Sequence, residues 1–458
     1  MPPGAAAAVR RAALLGLASC HGGVEASVPR LGRPALALPA LSNEDFEVKL
    51  GNRNNVQYAG EFTVGGQTLP VVYDTGSFEV LMLSSHCDLT CGQGHRLYDE
   101  AKSNTYVAET DIKAYHYFGS GPTESVHGLE KLSIGGPNSP YVKEKAPFFQ
   151  IWRHGIAPWR NSDFFSGIVG MAHPDQVPLD MLATTTDKDH QLTPDKLLLT
   201  SLGINTFAMC LKRHDPDAPG MLAFGPSVAS RAKDPAFSTL SVVGKLHWGV
   251  KLTGVEASGI SQPGLCQPSC GVIVDSGTSL IAVPPSAAGL ITALDKMIAR
   301  DCSNLASLPV LRFDFEGTAV ELPPQAYVMQ MMTAPSGAVT WDFLFDKASA
   351  STPQGQCFSA FMTIDKKSQF GDVWILGMPF MRYHYTIFDR AAKKIHFARA
   401  GPSCEVLPKP ATFASARSNV SSSAWSALGE AMPPLKVDIA GMLRPRWADP
   451  ILGRKLRM

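Results

Sequence analysis

The strongest constraint in this sequence is an internal echo. Residues 71–77 read VVYDTGS and residues 272–279 read VIVDSGTS, so in each copy an apolar, β-branched run suited to a buried strand leads into Asp, a hydroxyl residue, Gly and a second hydroxyl residue. One Asp-Thr-Gly alone is an ordinary turn, because Asp and Gly are favoured there. Here each copy is followed at a distance by an apolar strand ending in Gly: Ser166–Ala172 (SGIVGMA) in the first half and Val373–Gly377 (VWILG) in the second. The chain carries the same two-part device twice, which implies two homologous halves.

A duplicated device with one acid per copy has a direct chemical reading. If the halves meet face to face, the carboxylates of Asp74 and Asp275 sit side by side. Two such carboxylates cannot both ionise cheaply, so they hold one shared proton over an acidic range and titrate as a pair. The ionised member then takes a proton from a water between them, and the protonated member stabilises the oxyanion formed when that water attacks a carbonyl. This chemistry needs no cofactor and no metal. Gly76 and Gly277 let backbone approach the carboxylates, Thr75 and Ser276 offer hydroxyls to the opposite loop, and Ser77 and Thr278 can donate to the outer carboxylate oxygens. Ordinary turn capping is the alternative role for these four hydroxyls.

Length and composition set the surroundings. At 458 residues the chain exceeds one usual hydrophobic core. With 41 Lys plus Arg against 40 Asp plus Glu, it has no charge excess of the kind that binds nucleic acid, and no nucleic-acid partner is expected. The 40 Gly and 35 Pro, set among short apolar runs, predict many turns between short strands and a mainly β protein. Arg10 and Arg11 followed by the apolar stretch from Ala12 to Cys20 read as a secretory signal over residues 1–22, with a disordered Ala-rich start as the alternative. No later run reaches about eighteen uninterrupted apolar residues, so no spanning helix is expected after the signal.

Of the nine cysteines, Cys20 falls in that signal, and the even remainder suits an oxidising compartment. Eight cysteines allow on the order of a hundred connectivities, although Cys87/Cys91 and Cys266/Cys270 are each close enough to close a tiny loop. His86, Cys87, Cys91 and His95 could be drawn as a zinc set, but their spacing is not a standard finger pattern.

These motifs resemble the pepsin family of aspartic proteases, from about Tyr58 to Cys404. Further matches lie at His247–Leu252 (HWGVKL), Leu308–Phe313 (LPVLRF), Leu322–Tyr327 (LPPQAY), and from Trp374 through Phe380 and Tyr385 to Arg390. The resemblance implies disulfides Cys87–Cys91, Cys266–Cys270 and Cys302–Cys357, and a fourth, Cys210–Cys404, as in the plant nepenthesin-like branch. It also implies a β-hairpin flap over the cleft, at Tyr115–Gly121, with Tyr117, Phe118, Gly119 and Ser120 near the substrate. The family's flap Tyr falls at Phe118, and the Trp that usually bonds it falls at Leu81, so both members of a polar pair are replaced together. Met378 stands where an Asp often lies near the dyad, and the segment before the first strand is shorter than the usual propeptide.

The expected fold is therefore all-β and bilobal, a pepsin-like acid protease fold whose pseudo-twofold-related lobes meet at a central active-site cleft. The expected divisions are a signal at 1–22, a short prosegment or linker at 23–42, lobes at 43–225 and 226–404, and a flexible extension at 405–458 that holds the sequon Asn419–Ser421. The expected activity is that of a monomeric aspartic endopeptidase of the secretory pathway, extracellular or in a lysosome- or vacuole-like compartment. Its partners would be protein or peptide substrates with hydrophobic side chains flanking the cut. The alternative is a catalytically silent pepsin-fold binding or inhibitor protein.

Overall fold

In the computed structural model of the chain, the residues described are 44–53, 55–92, 94–118, 121–156, 159, 164–175, 192–213, 219–262, 264–331, 355–409 and 435–437. All belong to one compact unit, Pro39–Met458. The segments expected to be a signal (1–22) and a prosegment or linker (23–42), together with Gly119, Ser120 and Asn419, lie outside the described residues.

The sequence echo becomes an echo of strands. In the first half, β1 (Gln57–Val64), β2 (Gln67–Asp74), β3 (Val80–Leu83), β4 (Val142–His154) and β5 (Gly167–Gly170) lie side by side in the order β1-β2-β5-β3-β4. In the second half, β6 (Gly249–Leu252), β7 (Cys270–Val274), β8 (Ile281–Val283), β9 (Phe361–Thr363) and β10 (Gly371–Leu376) lie in the order β6-β7-β10-β8-β9. The sense of every pairing is repeated too. β2 runs parallel to β5 with Asp74 opposite Gly170, as β7 runs parallel to β10 with Val274 opposite Leu376. β5 is antiparallel to β3, as β10 is to β8. The parallel strands are covered on both faces, which is why β5 and β7 read as continuous apolar runs: all their residues are buried.

A second element joins the halves. Thr206–Cys210, Gly220–Phe224 and Phe46–Arg53 from the first half line up with Ser238–Ser241, Lys394–Arg399 and His384–Asp389 from the second. The seam is the antiparallel pairing of His384–Asp389 with Thr206–Cys210, with Ile387 opposite Ala208. Cys210 and Cys404 are bonded across it, and both sit in an apolar cluster with Ala208, Ile387 and Tyr385. Cys87–Cys91, Cys266–Cys270 and Cys302–Cys357 are bonded as well. The architecture is all-β and bilobal.

Further ties cross between the halves. The Trp248 indole, fully buried, donates to the Met171 carbonyl at 2.9 Å. Ser279 Oγ donates to Val56 O at 2.6 Å, and Arg382 Nη1 to Asn55 O at 2.7 Å. Truncating a core Trp to Ala costs about 3–5 kcal/mol, and Trp248 would lose a buried hydrogen bond in addition.

Among the described residues no helix is long and apolar enough to cross a membrane. Part of the C-terminal extension is held in place: Leu407 N–H donates to Arg399 O at 2.9 Å, and Leu435–Val437 runs parallel to Val328–Met331.

Candidate active site

Each Asp stands at the end of a central parallel strand, where the chain must turn sharply. Met171 N–H donates to Asp74 O at 2.8 Å and Ala172 N–H to Ser77 O at 2.8 Å, which clamps the first turn onto the Gly170–Ala172 segment. In the second half, Asp275 N–H donates to Leu376 O at 3.1 Å and Met378 N–H to Thr278 O at 2.8 Å. Two strand ends held in this way point their carboxylates at each other.

The hydrogen bonds around the two acids mirror one another. Gly76 N–H donates to Asp74 Oδ1 at 2.8 Å, and Gly277 N–H to Asp275 Oδ1 at 2.8 Å. Ser77 Oγ donates to Asp74 Oδ2 at 2.5 Å, and Thr278 Oγ1 to Asp275 Oδ2 at 2.6 Å. The glycines are required by space. A Cβ on Gly76 would lie 2.6 Å from Asp275 Cγ, and one on Gly277 would lie 2.3 Å from Asp74 Oδ1. Each glycine therefore makes room for the carboxylate of the other half.

Thr75 and Ser276 span the gap. Thr75 Oγ1 donates to Val274 O at 2.9 Å, and Ser276 Oγ donates to Tyr73 O at 2.7 Å. Asp275 is fully buried and Asp74 nearly so. Burial holds the Asp275 carboxyl well above the usual carboxylate range, and the neighbouring Asp74 charge, with a hydrogen bond between the two carboxyls, pushes the same way; donation from Thr278 and Gly277 opposes the shift.

The hairpin expected to be the flap pairs Val107–Phe118 with Gly121–Ile134, bringing Tyr117 opposite Pro122 and Phe118 opposite Gly121. Phe118 is buried in one apolar cluster with Leu81, Phe149, Ile151 and Trp159, and the side chains at positions 118 and 81 carry no hydroxyl or indole of their own to satisfy. The residues drawn as a zinc set do not converge. Cys87 and Cys91 bond each other, His86 Nε2 lies 3.3 Å from Glu100 Oε1, and His95 Nε2 lies 2.7 Å from Trp159 O.

Sequence reasoning passed over one pair near the site. Glu79, just after the Asp74 turn, faces His116 of the flap strand, both wholly buried. A lone Glu in a turn usually reads as solvated charge, and only tertiary structure brings these two together.

Comparison with known proteins agrees with this architecture. The sequence profile of the eukaryotic aspartyl protease family matches residues 57–400. Cathepsin D of Gallus gallus is 31% identical over 368 residues, spanning 76% of this chain and 82% of that protein. Cathepsin D of Homo sapiens is 28% identical over 384 residues, spanning 80% and 85%, and renin of Ovis aries is 26% identical over 378 residues, spanning 79% and 84%. Since the match runs through both Asp-hydroxyl-Gly turns and nearly all of the duplicated strands that present them, the chain belongs to the eukaryotic aspartyl protease family and has its pepsin-like fold.

Proposed function

We propose that this protein is an aspartic endopeptidase that cuts peptide bonds with a water activated between Asp74 and Asp275. The observation that carries this reading is the reciprocal vacancy at Gly76 and Gly277, each shaped to the opposite carboxylate. A binding protein has no need of two acids pressed together in a buried site, where the shared proton costs stability.

Roles follow from environment. Asp275, fully buried and with its carboxyl held up by burial and by Asp74, is the member that keeps the proton in the resting pair. Asp74 accepts from Gly76 N–H and Ser77 Oγ, a donor set that Asp275 has in mirror image, and as the less deeply buried member of the pair it serves as the base. As Asp74 draws a proton from the water, a C–O bond forms to the peptide carbon and the Asp275 proton passes to the carbonyl oxygen. Collapse of the gem-diol breaks the C–N bond: the amine leaves with the proton now on Asp74, and a gem-diol hydroxyl returns its proton to Asp275, which restores the singly protonated pair. An extended peptide would lie across the cleft under the flap hairpin, held by backbone hydrogen bonds as an added strand, with hydrophobic side chains flanking the cut. The working range is acidic, because the dyad needs one proton. The chain acts as a monomer in the secretory pathway, outside the cell or in a lysosome- or vacuole-like compartment, a location that its four disulfides suit.

The test is cleavage of a denatured protein mixture between about pH 3 and 7, for the wild type, Asp74→Asn and Asp275→Asn, with and without a statine-type mimic of the gem-diol. Loss of cleavage in both variants and with the mimic establishes the dyad. Folded wild-type protein that cleaves nothing across this range leaves the silent binding protein as the better reading.

A further inference from the structure

We propose that Glu79 and His116 are positioning residues that hold the flap hairpin in register over the dyad, a reading that rests on the protease function proposed above. His116 Nε2 lies 3.6 Å from Glu79 Oε1, and each side chain is only 1% exposed. The pair joins two elements that matter to the site, the segment that follows the Asp74 turn and the first strand of the flap.

Strand alternation places the pair. Along the flap strand Ala114, His116 and Phe118 point inward while Tyr115 is 51% exposed, as a period of two requires. Glu79 and Leu81 are likewise two residues apart. Phe118 and Leu81 occupy one apolar cluster and have no polar group to offer each other, and a polar contact is made by the residue two before each of them. The polar rung has moved down the hairpin, from its tip toward its base.

The anchor under Glu79 is firm. Its carbonyl accepts from Gly170 N–H at 2.9 Å, and Gly170 is the strand neighbour of Asp74. Glu79 is therefore fixed at its backbone to the wall behind the dyad. On the flap side, the His116 ring packs edge-on against Phe149 at 4.8 Å, with Ser125 Oγ 3.4 Å from its Nδ1. His127 packs against the same Phe149 at 5.1 Å and pairs with Glu109 at 2.7 Å, which fastens the two flap strands to each other, whereas the Glu79–His116 pair fastens the flap to the body. Lys196 lines a small cavity together with Glu79 and Phe149.

Glu79→Gln and His116→Gln keep the approximate volume and remove the carboxylate–imidazole contact. In each, KM for an extended peptide is expected to rise about tenfold while kcat stays within about twofold, and flap-hairpin amides should exchange about tenfold faster. Amides of Cys270–Val274 should exchange at the wild-type rate, and the double variant should be no worse than either single one. Unchanged KM and unchanged flap exchange in both variants would overturn the proposal. So would exchange that accelerates equally in the flap and in Cys270–Val274, because that marks general loss of stability. Wild-type protein that cleaves no peptide counts against the protease reading alone, and the exchange measurement still decides the pair.

Discussion

Thr75 and Ser276 hydrogen-bond to each other in both directions: Thr75 N–H donates to Ser276 Oγ at 3.0 Å, and Ser276 N–H donates to Thr75 Oγ1 at 2.9 Å. Each hydroxyl passes its own proton on to a carbonyl of the opposite strand, so four buried backbone groups depend on two side chains. This square fixes the separation of the two Asp turns.

Ser276→Ala strips the Thr75 N–H and the Tyr73 carbonyl of their partners at once. Each buried group left unsatisfied costs about 1–3 kcal/mol, so the urea midpoint should fall substantially with an unchanged m-value. Activity should fall too, because the acids lose their common register. A midpoint within error of the wild type would show that the square does not hold the halves together.

Gly76→Ala and Gly277→Ala test a different requirement, that of space. The new methyl would sit 2.6 Å from Asp275 Cγ or 2.3 Å from Asp74 Oδ1, and one of the two carboxylates has to move. Misplacing a reacting group by about 1 Å costs on the order of 100-fold in rate, so kcat should drop at least that far in either variant while far-ultraviolet circular dichroism stays native. Near-normal turnover in either would mean that the dyad tolerates a wider spacing than this geometry allows.

How far the sequence announces all this depends on whether the signal is local. The strand-then-Asp-hydroxyl-Gly pattern is local and occurs twice, so the strands, the turns and the glycines could be read directly. The five-strand order shared by the halves follows from that duplication. The seam between His384–Asp389 and Thr206–Cys210 is different, because neither strand carries any mark of its distant partner. Tertiary packing chose that register, as it chose to bury Arg382 against Asn55 O. Glu79 was illegible for the same reason. Nothing local marks it for burial, and only the folded hairpin supplies the imidazole.

Stability should depend on pH through two buried histidines. Burial pushes His173 down to about 4, with the nearby Arg390 charge acting in the same direction, and burial pushes His384 down to about 4 against a hydrogen bond to the Phe380 carbonyl. In the unfolded chain both return to about 6.5. Between these values the unfolded state binds more protons than the native one, so stability is intact above about pH 6.5 and is lost as pH falls toward 4, by up to about 1.4 kcal/mol per pH unit for each histidine. The urea midpoint should therefore fall on acidification through this window, and His384→Gln should flatten the slope. An equal slope in the variant would exclude His384 as a source. The fold itself therefore sets an acid floor to whatever activity it carries.

Met378 bears on the dyad from the other side. Its N–H donates to the carbonyl of Thr278, and Thr278 Oγ1 donates to Asp275 Oδ2, so the side chain grows from a backbone two hydrogen bonds from the acid. It is fully buried and carries no charge. Met378→Asp would introduce a second anion into this low-dielectric pocket, and like charge favours the protonated form of its neighbour. The acid limb of the kcat/KM profile should then move to higher pH relative to the wild type, together with some loss of stability from burying a charge. A profile that does not move, in a variant shown to be folded, would mean that the pocket screens position 378 from the pair and that the wild-type Met plays no part in setting the acidity of the dyad.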